Sequence, residues 1–143
     1  MKEIIRKHIL AAMDAAAQSK TAQKYGTTPE LHAHVDNYWR VAFTHMGTSN
    51  EENFGLLEIC LLPIGMVTVQ AGYQTGDDLA DGIIRNFFAK CPHATACVDH
   101  PHIVVCTGKE LQPVLEWALN ELWNVQVKTG GHSGLEIEEA FLP

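Results

Sequence analysis

The sequence predicts an α+β domain with a single antiparallel sheet of about five strands and helices, in the order α-βββ-α-ββ-α. Three observations predict this class. The chain has 143 residues, a usual size for one domain. Its hydrophobic fraction, 46%, is enough for a core. Segments with two-residue hydrophobic alternation lie between segments with helical spacing. We expect one domain over residues 1–134 and an acidic, apolar tail over 135–143.

The first predicted element is a helix over residues 2–22. Apolar side chains recur there at three- and four-residue spacing, and alanine, a strong helix former, is frequent. Gly26 is a suitable stop after it. The far side of this helix is charged, so we expect it to pack on one side only.

Residues 29–46 are compatible with either a helix or a strand. Pro29 suits the first turn of a helix, and apolar residues would then share one face. The run from Tyr38 to Phe43, however, is rich in strand-forming residues. We predict a short helical turn near Pro29 and a strand over about 35–44.

Two further strands are predicted to form a hairpin. Residues 56–62 are apolar on both faces apart from Glu58, which is typical of a central strand. Residues 66–73 alternate between apolar and polar side chains, as a half-buried strand does. Pro63 and Gly65 supply the turn between them.

The second half is predicted to contain a helix, a hairpin and a last helix. The first of these begins near Asp77 and ends before Pro92. Residues 95–99 and 102–106 form the predicted hairpin, and a capping-box pattern at 107–110 starts the last helix. Residues 129–134 are predicted to be flexible. The predicted core includes Ile5, Ile9, Leu57, Ile59, Leu61, Val67, Val69, Ile83, Phe87, Val104, Leu115 and Leu122.

Charge and cysteine content limit the possible partners and compartments. Residues 1–24 carry a net charge of +3 and the rest of the chain −10, which disfavours binding to nucleic acid. No apolar run is long enough for a membrane span, and charges interrupt the first residues, so we expect a cytoplasmic protein. The four cysteines lie mostly among strand-like apolar residues, and we expect them to be reduced.

His32, His34 and Asp36 spell an H-x-H-x-D pattern. In a strand these side chains would point to one face, and imidazole and carboxylate groups bind metals. The pattern resembles the metal motif of metallo-β-lactamase-like hydrolases. It departs from that motif at Asn37, where the family usually has a further histidine after the aspartate. The chain is also too short for that fold. An exposed polar strand or helix start accounts for the same residues.

A second group of potential metal ligands lies within twelve residues. Thiolate and imidazole are natural zinc ligands, but the spacing is not a common finger pattern. Buried thiols and surface histidines are the alternative reading. We expect no cofactor, with zinc as the candidate if a metal binds. This group comprises Cys91, His93, Cys97, His100 and His102.

The absence of a nucleophile–base set or cofactor motif favours a binding protein over an enzyme. Tyr38, Trp39 and Arg40 are consecutive, and these residue types are enriched at interface hot spots, so they are the candidate partner-binding residues. In element order, length and acidity the chain resembles class I type III secretion chaperones, which are dimers that hold extended effector segments. Small acidic immunity proteins have a similar composition. The alternatives are a metal-dependent enzyme and a small-ligand-sequestering protein.

We further expect a homodimer, because the strand over residues 56–62 has apolar side chains on both faces. With helices on one side only, one apolar face would meet solvent. Monomers rarely expose contiguous apolar patches of more than a few hundred Å², and a two-fold symmetric partner is the commonest way to bury one.

Overall fold

A computed structural model describes residues 1–18, 29–43, 54–74 and 84–128 of the chain. These residues form two layers, a five-stranded antiparallel sheet and a layer of helices on one of its faces. The α+β class and the single antiparallel sheet are therefore confirmed. Neither helix of this described part is long and apolar enough to cross a membrane.

The sheet is a simple meander, since its spatial order is the order of the chain. Every neighbouring pair is antiparallel. The turn between the third and fourth strands places Gly65 at φ 85°, a left-handed conformation that glycine adopts without steric cost. The strands are β1 (Pro29–Val35), β2 (Tyr38–Phe43), β3 (Phe54–Leu61), β4 (Val67–Gln74) and β5 (Ile103–Cys106).

The structure differs from the sequence prediction over residues 29–43. They form the β1–β2 hairpin, not a helical turn followed by one strand. The loop is Asp36–Asn37, and Asn37 has φ 64°, a conformation that asparagine tolerates better than most residues. Cross-strand pairing with β2 outweighs the helix-start signal at Pro29, which begins the edge strand instead.

The predicted hairpin over 95–106 is also different. Only β5 is a strand, and residues 95–99 contribute a single bridge, between Ala96 and Val104. Because residues 29–35 add a strand, four strands precede the segment predicted as the middle helix. That segment is described from Ile84 onward, where it ends in a 3₁₀ helix, Phe87–Lys90.

Within the described ranges, one long α-helix precedes the five strands along the chain and another follows them. Helix α1 is Lys2–Ala17, and residues 19–22 of its predicted extent lie outside the described residues. Helix α2 is Gly108–Lys128 and starts directly after Thr107, the first residue of the capping pattern, with Pro113 inside it. Residues 129–134 and the tail predicted over 135–143 also lie outside the described residues.

The core lies between the helices and one face of the sheet, called here the inner face. Ten of the twelve predicted core residues are buried, whereas Leu61 is partly buried and Ile83 lies outside the described residues. One row across the inner face runs through register partners on four strands. That row is Trp39, Ile59, Val69 and Val104, all buried.

Candidate functional site

The sheet face that points away from the helices, called here the outer face, carries the candidate site. Strand alternation places every second residue of β2, β3, β4 and β5 on it. The outer-face side chains that the structure describes are half-buried or exposed, in contrast to those of the inner face. Two rows of register partners define the outer face: Tyr38, Cys60, Thr68 and Val105 in one, and Arg40, Glu58, Gln70 and Ile103 in the other.

Tyr38 and Glu58 form the shortest polar contact described on this face. The Tyr38 hydroxyl donates a hydrogen bond to Glu58 Oε2 at 2.5 Å. Burial of the phenol, followed by its hydrogen bond to the Glu58 carboxylate, raises the pKa of Tyr38 to about 12. The phenol therefore remains a proton donor at neutral pH and fixes the orientation of the carboxylate.

Arg40 lies next to this pair without joining it. Its Cα partner on β3 is Glu58, yet the described residues contain no ion pair between the two side chains. The Arg40 Nε atom is buried and has no hydrogen-bond partner. A buried donor without an acceptor is costly, so this guanidinium is suited to donate hydrogen bonds to an external anionic or carbonyl group.

The structure separates the three residues proposed from sequence as a partner-binding set. Tyr38 and Arg40 lie on the outer face. Trp39 lies on the inner face, and only 4% of its surface is exposed. Trp39 is thus a core residue and cannot contact a partner without unfolding of the sheet.

The H-x-H-x-D residues are divided between a strand and a turn. His32 and His34 belong to β1, and Asp36 lies in the loop that follows. Lys2 Nζ donates to Asp36 Oδ1 at 2.7 Å, and this hydrogen bond lowers the pKa of Asp36. His32 is the register partner of Arg40, whose positive charge disfavours a metal cation at that position.

The cysteine and histidine group of residues 91–102 is not assembled into a metal centre in the described part of the chain. Within the described ranges, no group of three or more His, Cys, Asp or Glu side chains lies close enough to hold a metal ion. His100 and His102 are neighbours, with ring centroids 5.9 Å apart. Burial, with a smaller contribution from His100, lowers the pKa of His102. Cys91 packs against the core, and all four cysteines are free.

A groove of about 370 Å³ lies at the end of the sheet where the β3–β4 turn meets the start of α1. Its walls combine apolar side chains with one amide, from Asn37. It is open to solvent, whereas sites for small molecules usually enclose most of the ligand surface. The groove is lined by Met1, Asn37, Leu61, Leu62, Pro63 and Gly65.

Sequence reasoning missed Glu58 as a member of the site. The signal was present, since Glu58 is the only charged residue in an otherwise apolar central strand. A charge at such a position requires a partner, and the structure supplies Tyr38. Arg40 was identified, but the register that places it opposite Glu58 depends on the hairpin loops.

No protein-family model, curated protein or solved structure matches this chain.

Proposed function

We propose that this chain is a small acidic protein-binding module of the cytoplasm, acting as a homodimer, and that its binding surface is the outer face of the sheet. The observation that carries the proposal is the asymmetry of the two layers. Both described helices pack on the inner face, and the outer face presents half-buried and exposed side chains. Within the described ranges no helix covers the outer face, which leaves this surface available to a partner.

The composition of the outer face supports a protein partner. Tyrosine and arginine are enriched at interfaces, and both are present at its centre. Val105, 40% exposed, adds apolar area at the β5 side. Four free cysteines are in keeping with a reducing compartment.

The proposal rests on this surface and not on the resemblance to secretion chaperones. That resemblance used an order of three strands before the middle helix, and four strands precede that segment. Chaperone-like, adaptor and immunity-type roles all use such a surface, and the proposed class covers them together.

Site-specific photo-crosslinking in cells tests the proposal. A photoreactive residue replaces Thr68 on the outer face, and in a matched control it replaces exposed Asn120 on α2. We expect a discrete protein adduct from position 68 and none from position 120. If neither position gives an adduct while a metal or small molecule co-purifies in stoichiometric amount, the binding-module proposal is wrong.

A further inference from the structure

We propose that the protein which covers the outer face is a second copy of the same chain, held by reciprocal pairs between Arg40 of one copy and Glu58 of the other. The inference rests on the proposed function and specifies its partner and contact residues. It follows from the charge distribution, from the register of β2 and β3, and from the way Tyr38 holds Glu58.

Arg40 is an isolated cation. Between Lys24 and Arg85 the sequence contains no other lysine or arginine but eight acidic residues. The Arg40 Nε atom is buried without an acceptor, and no described carboxylate forms an ion pair with the guanidinium. A half-buried charge without a counter-ion among the described side chains is costly, so an external carboxylate at this position would be favourable.

The register makes the outer face self-complementary. Arg40 and Glu58 lie directly opposite each other on adjacent strands, and therefore at the same height along the sheet. A two-fold axis parallel to the strands, between β2 and β3, places Arg40 of each copy against Glu58 of the other. Such a contact is isologous, and it forms two ion pairs at once.

Glu58 is already oriented for this contact. Its Oε2 atom accepts the hydrogen bond from Tyr38, so the second oxygen, Oε1, can accept from the guanidinium of the other copy. Because Tyr38 restricts the carboxylate rotamer in advance, less side-chain entropy is lost when the pair forms.

The area of the contact can be compared with the areas of known protein interfaces. The axis places β2 of one copy against β3 of the other, and β1 against β4. These strands lie about 4.8 Å apart and extend up to eight residues at about 3.3 Å each, so they span roughly 500 Å² per copy. A total of about 1,000 Å² is at the lower limit for a specific interface, the size class of weak, reversible contacts.

Charge reversal tests the pairing by sedimentation velocity from about 1 to 100 µM. Arg40→Glu places like charges opposite each other, and so does Glu58→Arg. We expect each variant alone to weaken dimerisation at least about tenfold. An equimolar mixture of the two restores the dimer as a heterodimer, and the double variant restores the homodimer. Lys109→Glu and Glu3→Arg make the same charge changes at exposed helix positions and leave the dimer unchanged.

Glu58→Arg also removes the hydrogen bond to Tyr38, so its fold is checked by circular dichroism. If that variant is unfolded, Arg40→Glu and Thr68→Arg carry the test, since Thr68 lies in the same contact and touches neither charge. The proposal is overturned by a wild-type monomer at 100 µM, by a dimer that persists in both of these variants, or by a mixture of two folded single variants that stays monomeric.

The outcome also separates this inference from the proposed function. A wild-type monomer whose position 68 crosslinks to a different protein refutes the second copy and retains the binding surface. A dimer insensitive to every outer-face variant, with no adduct from position 68, refutes both.

Discussion

Tyr38 donates its hydrogen bond to Glu58 diagonally across the β2–β3 pair. The register partner of Tyr38 is Cys60, and that of Glu58 is Arg40. Diagonal neighbours in a sheet lie within reach of long side chains, and here the diagonal contact prevails over the direct opposition of two unlike charges. The consequence is a carboxylate held by a neutral donor, beside a guanidinium without a described partner.

The titration of Tyr38 provides the first prediction. Its pKa is raised to about 12, above the ordinary value of 10, by burial and by the hydrogen bond to Glu58. A pKa raised in the folded state contributes stability that is complete below pH 10 and is lost as the pH rises towards 12. We expect the stability of the wild type to fall through this window, and an absorbance titration to show one tyrosine that ionises late.

Tyr38→Phe is the matched control for that experiment. It keeps the ring and removes the hydroxyl, so the late ionisation and the associated loss of stability should both disappear. If the wild type and Tyr38→Phe show the same dependence between pH 10 and 12, the hydrogen bond to Glu58 does not stabilise the folded state.

The second prediction concerns Trp39, which lies in the core between β2 and the helices. Replacement by alanine should lower the free energy of unfolding by about 3–5 kcal/mol, because it removes a large buried side chain and leaves a cavity. Urea denaturation followed by circular dichroism measures it. Exposed Val105→Ala is the control and should change stability by less than about 0.5 kcal/mol. A Trp39→Ala protein as stable as the wild type would contradict the assignment of Trp39 to the core.

The sequence predicted the elements whose periodicity was strong and missed those defined by pairing. Strands β3 and β4 were recognised from their apolar pattern and their turn. Strand β1 was not, because its histidine and alanine residues have no strong preference for strands and its formation depends on pairing with β2. The edge position, which needs hydrogen bonds on one side only, permits such a composition and a proline at its start.

Only part of the candidate site could be predicted from the sequence, because strand alternation divides consecutive residues between two faces. Adjacent aromatic and basic residues at 38–40 indicated a binding surface, but in a strand consecutive residues point to opposite faces. Residues 38–40 were predicted to lie in a strand, so the separation of Trp39 from its two neighbours follows from strand alternation, which the grouping of the three as one binding set overlooked. At the described outer positions of β3, Glu58 has Tyr38 beside it and Gln70 opposite it, so this part of the outer face is polar.

The third prediction concerns the start of α2. Glu110 Oε1 accepts hydrogen bonds from the Thr107 backbone N–H at 2.8 Å and from its hydroxyl at 2.9 Å, and these bonds lower the pKa of Glu110. A lowered pKa contributes stability that is present above the ordinary value of 4.5 and is lost as the pH falls through the folded-state value. Glu110→Gln keeps an acceptor and removes the charge. Its Tm should be below that of the wild type at pH 7, and the difference should vanish in acid.

Glu121→Gln is the control for this experiment, because Glu121 lies far from the first turn of the same helix. If the two substitutions change the Tm and its pH dependence equally, the effect of Glu110 comes from net charge and not from the contact with Thr107.

The last prediction concerns the reactivity of the four free cysteines. Burial on the inner face, with smaller contributions from Glu110 and Cys91, raises the pKa of Cys106 to about 12. At pH 8 only about one Cys106 in ten thousand is then a thiolate, and the thiolate is the reactive form. The other three thiols are partly exposed. At a concentration where the protein is monomeric, a thiol reagent at pH 8 should therefore modify three cysteines, and Cys106 only as fast as the protein unfolds. In denaturant all four should react, and peptide mass mapping identifies the order. Labelling of Cys106 in the native protein as fast as that of Cys60 would show that β5 is not covered by α2.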